Sequence, residues 1–61
     1  ARAAQVLGTL CEVYLTKGET DNARNLLNLY YLEKFNRYPA FRREVQAVFT
    51  RSPLLREASF F

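Results

Sequence analysis

Cys11 is the only thiol among 61 residues, and the chain has no histidine. One thiol closes no internal disulfide, and a structural zinc takes about four Cys, His or carboxylate ligands. A nucleophilic thiolate needs an accessible setting beside a cation. Cys11 instead stands on an apolar stripe with Leu7, Leu10 and Tyr14, where a small packing residue is expected. The carboxylates offer no catalytic pair either. Glu12 and Glu19 fall on different turns, and Glu19 and Asp21 follow Gly18, where they suit the positive end of the next helix's dipole. There is no glycine-rich phosphate loop. The expectation is a non-catalytic protein, with no catalytic, cofactor-binding or metal-ligating residue and no cofactor.

The remaining chemistry is that of binding. Residues 1–33 carry three basic and four acidic side chains, a net −1, and residues 34–61 carry six basic and two acidic, a net +4. The second half can therefore face an acidic surface. Four Tyr and five Phe add side chains that, with Arg, are enriched at interface hot spots.

A chain this short buries only about 60% of its unfolded surface, so without disulfide or metal it needs an efficient core or a partner. Its hydrophobic content, 49%, argues for a core and against disorder. No apolar run approaches the ~20 residues of a transmembrane helix. The lone Cys fits a reducing compartment such as the cytoplasm.

These side chains must be held by helices. Ala3, Val6, Leu7, Leu10, Cys11, Val13 and Tyr14 recur at three- and four-residue steps, which predicts a helix from about Ala3 to Thr16. Gly18 suits the left-handed residue that ends helices. Thr20 is expected to cap the next helix, from about Asp21 to Asn36. A link this short predicts an antiparallel pair. At ~100° per residue, Leu26, Tyr30, Ala23, Leu27 and Tyr31 form one stripe of this second helix, with Leu29 and Leu32 outside it. One neighbour cannot cover both sides, so the second helix is expected to be the central element. Pro39 restarts the chain, predicting a third helix to Phe49 or Thr50 that folds back over the second through Phe41, Val45 and Val48. Ser52-Pro53 is a further start signal for a short fourth helix. The end, Ser59-Phe60-Phe61, is expected to fray. No strand-like alternation stands out. The expected fold is all-α, one small domain over 1–61: a helical hairpin over 1–38, then a capping helix and tail over 39–61.

The pattern Leu7-x-x-Leu10-Cys11-x-x-Tyr14…Gly18…Ala23-x-x-x-Leu27 resembles a tetratricopeptide repeat, over roughly residues 4–38. The small residues Cys11 and Ala23 let two helices approach, with Leu7, Leu10, Tyr14 and Leu27 around the contact. Leu7 stands where that family commonly has tryptophan, Tyr30 where it often has a small residue, and Pro39 comes later than its helix-ending proline. No second copy follows. The resemblance implies a protein-binding helical module, an adaptor or a small chaperone-type subunit. Hairpins of this class are also similar to chaperones of bacterial secretion machines.

Protein binding is accordingly the expected function, to a foreign partner or in a homo-oligomer, with Leu29, Tyr31, Leu32, Phe35, Tyr38 and Arg42 as contacts. Tyr30, Phe41 and Phe49, on apolar stripes, are expected in the core. The alternative is a small basic nucleic-acid-binding domain using Arg37, Arg42, Arg43 and Arg51 against phosphates, although Glu33, Glu44 and Glu57 interrupt that patch.

Overall fold

The computed structural model describes residues 2–61. They are almost entirely helical, with no strand among them. Helix α1 (Arg2–Thr16) ends in a turn closed by its own carbonyls: the Lys17 N–H donates to Val13, the Gly18 N–H to Leu15 and the Glu19 N–H to Tyr14, at 3.1, 3.0 and 2.8 Å. Gly18 has φ +76°, a conformation that costs glycine nothing and side-chain-bearing residues about 1–2 kcal/mol. Helix α2 (Thr20–Asn25) starts one residue earlier than expected. Glu19, not Thr20, occupies the cap position. It makes no capping bond to the backbone, and its carboxylate accepts from Asn22 Nδ2 at 2.9 Å.

The second helical stretch is not the uniform α-helix that the sequence suggested. A π-helical segment (Leu26–Tyr31) follows α2, and helix α3 (Leu32–Arg37) continues from it. The residues turned inward explain why. Ala23, Leu27 and Phe35 are buried and Tyr31 packs against them, a spacing of four sustained over three steps. An unbroken α-helix would carry Phe35 about 120° around the axis from Ala23. One extra residue in a π-helical turn takes back ~100° and leaves the two nearly in line. Leave out one residue between Leu27 and Tyr31, and the set reads as an α-helical stripe at i, i+4, i+7 and i+11.

Tyr38 leaves the helix at φ −125°, ψ 82°, and Pro39 opens helix α4 (Pro39–Arg51) as its first residue, where its missing N–H costs nothing. Ser52 links α4 to helix α5 (Pro53–Ala58) and uses its hydroxyl twice. Ser52 Oγ accepts from the Leu55 N–H at 3.4 Å, capping α5, and donates to Glu12 Oε2 at 2.7 Å, tying that junction to α1.

The core comprises Ala4, Leu7, Cys11, Ala23, Leu27, Phe35, Val45, Phe49 and Leu55. No charged or polar residue is buried among the described residues. α1 and α4 share the centre: α1 packs against α2, α4 and α5, and α4 against α1, α3 and α5. This corrects the expectation that the second helix holds that place. The reason is a notch at Gly8. A Cβ there would lie 2.6 Å from Val48 Cγ1 and 3.8 Å from Leu55 Cδ1, so α4 presses on α1 where the side chain is missing. Val48 thus serves the α1 contact, while α4 also meets α3.

The tail does not fray as expected. Ser59 adopts a left-handed conformation, φ 56°, and turns Phe60 and Phe61 back over the core. The Phe61 ring lies 5.2 Å from Phe49 and 5.7 Å from Phe35, and Phe60 lies 5.9 Å from Phe49. The Arg24 guanidinium sits 5.3 Å above the Phe60 ring. Each such pair adds on the order of 1 kcal/mol to simple burial.

Candidate functional site

The π-helical turn that sends Leu27 and Tyr31 inward sends the residues between them outward. Leu29 is 73% exposed, Tyr30 74%, and Leu32, at the start of α3, 51%. Three large apolar side chains within four residues thus meet water. Single exposed hydrophobics are ordinary, but exposed large hydrophobics this close together in the chain are candidates for a contact surface. Short π-helical turns inside α-helices also recur at functional positions.

The residues expected to make contact divide into two sets. Leu29, Leu32, Tyr38 and Arg42 are exposed. Tyr31 is half-buried, its ring 6.0 Å from Phe35 and 6.3 Å from Phe41. Phe35 is a correction: it is a core residue, with its ring centre 5.7 Å from both Phe41 and Phe61. A wheel at 100° per residue misplaces it because the π-helical turn upstream underwinds the helix by one residue. The same error put Tyr30 in the core, whereas Phe49 is buried and Phe41 packs against it as expected.

Leu32 and Arg42 line one groove of about 320 Å³ with Leu27, Asn28, Phe35, Asn36, Phe60 and Phe61. Leu29 and Tyr38 are not among its walls. The structure therefore gathers Leu32 and Arg42 and leaves the other two apart. Val6, Leu10 and Val13 are exposed on α1 and were missed. Their three- and four-residue spacing was visible, but it merges with the inward stripe one residue away, so sequence alone did not separate two faces.

Cys11 is fully buried, and burial pushes its thiol up to about 11, the opposite of an activated thiolate. No cluster of three His, Cys, Asp or Glu residues exists among the described residues. The arginines of the alternative reading are dispersed in their bonding. Arg37 approaches Glu33 at 3.7 Å, an exposed pair, and Arg51 Nε donates to the Ala47 carbonyl at 3.3 Å. Arg42 and Arg43 are exposed on α4. Among the described residues no helix is long and apolar enough to cross a membrane. Compared with protein-family models, curated proteins and solved structures, the chain matches none.

Proposed function

We propose that the chain is a non-catalytic protein–protein interaction module, a helical adaptor or small chaperone-type subunit, whose hairpin resembles a single tetratricopeptide repeat. The observation that carries this reading is the exposed trio Leu29, Tyr30 and Leu32 on and beside the π-helical turn. Covering a fully exposed leucine stabilises a complex by about 1.5–3 kcal/mol before ordering costs, and Leu29 and Leu32, 73% and 51% exposed, each have part of that to contribute. Arg42, in the groove beside Leu32, adds a cation at the rim, where charge steers encounter more than it adds affinity.

The test is capture on the immobilised chain, with bound proteins identified by mass spectrometry. A partner held by apolar contact stays bound at ~1 M salt, where the Debye length is about 3 Å. The same protein is lost at least ~10-fold with Leu29→Asp/Leu32→Asp. Capture unchanged by that double variant refutes the reading. Retention on heparin or DNA that vanishes at moderate salt, with no such protein captured, would instead favour Arg37, Arg42, Arg43 and Arg51 as a phosphate-binding set.

A further inference from the structure

Helix α1 carries two apolar stripes. The inner one, Ala4, Leu7, Gly8 and Cys11, is buried in the core. The outer one, Ala3, Val6, Leu10 and Val13, lies in solvent, with Val6 60%, Leu10 39% and Val13 45% exposed. It occupies the side of α1 that α2, α4 and α5 leave uncovered. Its steps of three, four and three residues are the a/d spacing of a helix-pairing seam.

This seam also lacks charge. Between Arg2 and Lys17 the only charged residue is Glu12, and its carboxylate is turned away to Ser52 Oγ at 2.7 Å. A helix face that stays in water normally collects the charged residues. An uncharged one can be covered with no ion to desolvate.

We propose that the outer seam of α1 docks a second copy of the chain, α1 against α1 about a two-fold axis. A two-fold interface must match itself when reversed, and Val6–Leu10–Val13 does so: valine, leucine, valine, nearly evenly spaced about Leu10. Run antiparallel, each Val6 meets the other copy's Val13, and the two Leu10 side chains meet near the axis. The antiparallel sense also keeps Lys17, at the next seam position, away from its own copy, whereas parallel helices would set two lysines face to face. The 3-4 spacing suits helices crossing at ~20°.

The area sets the strength. A 15-residue helix is ~22 Å long and ~11 Å wide, so one face offers roughly 400 Å² per copy. Standard interfaces use about 800 Å² per partner. The dimer is therefore weak and reversible. This deepens the interaction reading and rests on it only in taking the chain to be a binding module. It uses a different face from Leu29 and Leu32, so the two stand or fall separately.

Sedimentation equilibrium between about 5 μM and 1 mM, a range chosen to bracket such a weak complex, decides the matter. The mass should rise from 7.1 kDa toward twice that. Val6→Glu/Val13→Glu should move the midpoint at least ~10-fold higher in concentration, because paired carboxylates would have to be desolvated, with the far-ultraviolet circular dichroism unchanged. Leu29→Asp/Leu32→Asp should leave the midpoint where it was. As a check that does not depend on the charged variant folding, Leu10→Cys should give a disulfide-linked dimer under mild oxidation, while the parent, with Cys11 buried, should not. A mass of 7.1 kDa throughout overturns the proposal, as does association that Leu29→Asp/Leu32→Asp abolishes and Val6→Glu/Val13→Glu leaves intact. Absence of the Leu10→Cys cross-link at concentrations where the parent is dimeric overturns the antiparallel seam.

Discussion

Replacing Gly8 by alanine sets two effects of opposite sign against each other inside one helix. Alanine favours an α-helix over glycine by about 1 kcal/mol, so at an exposed position Gly8→Ala would stabilise the chain. The new methyl, however, would lie 2.6 Å from Val48 Cγ1, against the ~3.5–4.0 Å at which carbon atoms rest. Roughly 1 Å must be found. Val48 cannot easily give it, because a β-branched residue in a helix has one strongly preferred χ1 rotamer, and a 30° departure costs about 0.5–1.5 kcal/mol. Moving α4 away instead loosens Val45 and Phe49, both buried. Overpacking of this kind costs roughly 1–3 kcal/mol, so the net expectation is a loss of up to about 2 kcal/mol. In a chain this small each kilocalorie lowers Tm by about 4–8 °C. The assay is thermal and urea unfolding followed at 222 nm for Gly8→Ala, Val48→Ala and the double variant. Trimming Val48 makes room for the methyl and recovers the helix propensity. The double variant should therefore be about 1–3 kcal/mol more stable than the sum of the singles predicts. A Gly8→Ala protein more stable than the parent, or a cycle with no coupling, would refute the claim that a missing side chain sets the approach of α1 and α4.

Deleting Asn28, an exposed residue of the π-helical segment, should be tolerated. It restores the i, i+4, i+7, i+11 stripe through Ala23, Leu27, Tyr31 and Phe35 and keeps the helical signal at 222 nm. Inserting one alanine after Asn28 should instead turn Phe35 by ~100° out of the core and cost about 3–5 kcal/mol. Loss of structure on deletion and retention on insertion would contradict the one-residue account of the turn. The Cys11 thiol, raised by burial from 9.0 to about 11, links folding to alkaline pH. Below pH 9 both states keep the proton and stability is unaffected. Between pH 9 and pH 11 only the unfolded chain ionises, so stability should fall by about 1.4 kcal/mol per pH unit. Denaturation curves of the parent and Cys11→Ala across that range check it. An identical pH dependence of the two proteins would mean that the thiol is not shielded in the fold.

Much of this molecule is written in short stretches of chain. Gly18, Pro39 and Ser52-Pro53 punctuate the helices through forces that act within one turn: a left-handed φ, a missing N–H, a hydroxyl within reach of an amide three residues on. Local signals of this kind need no knowledge of what lies across the core, and they set the all-α class and most of the boundaries.

Which helices lie at the centre, and which faces stay wet, were decided by contacts between residues far apart in the chain. Gly8 draws α4 onto α1 only because Val48 arrives there 40 positions later. Phe60 and Phe61, which look like a loose end, are held because Phe35, Phe49 and Arg24 are already in place. The candidate site turned on the same distinction. Leu29 and Leu32 were legible as a second apolar side. Phe35 and Tyr30 changed places because the helix takes in one extra residue at Leu26–Tyr31, and that choice belongs to packing. A π-helical turn has poor local energetics and persists where the core returns more by keeping four side chains in line. No reading by helical period can foresee it, since the period is what the tertiary structure altered.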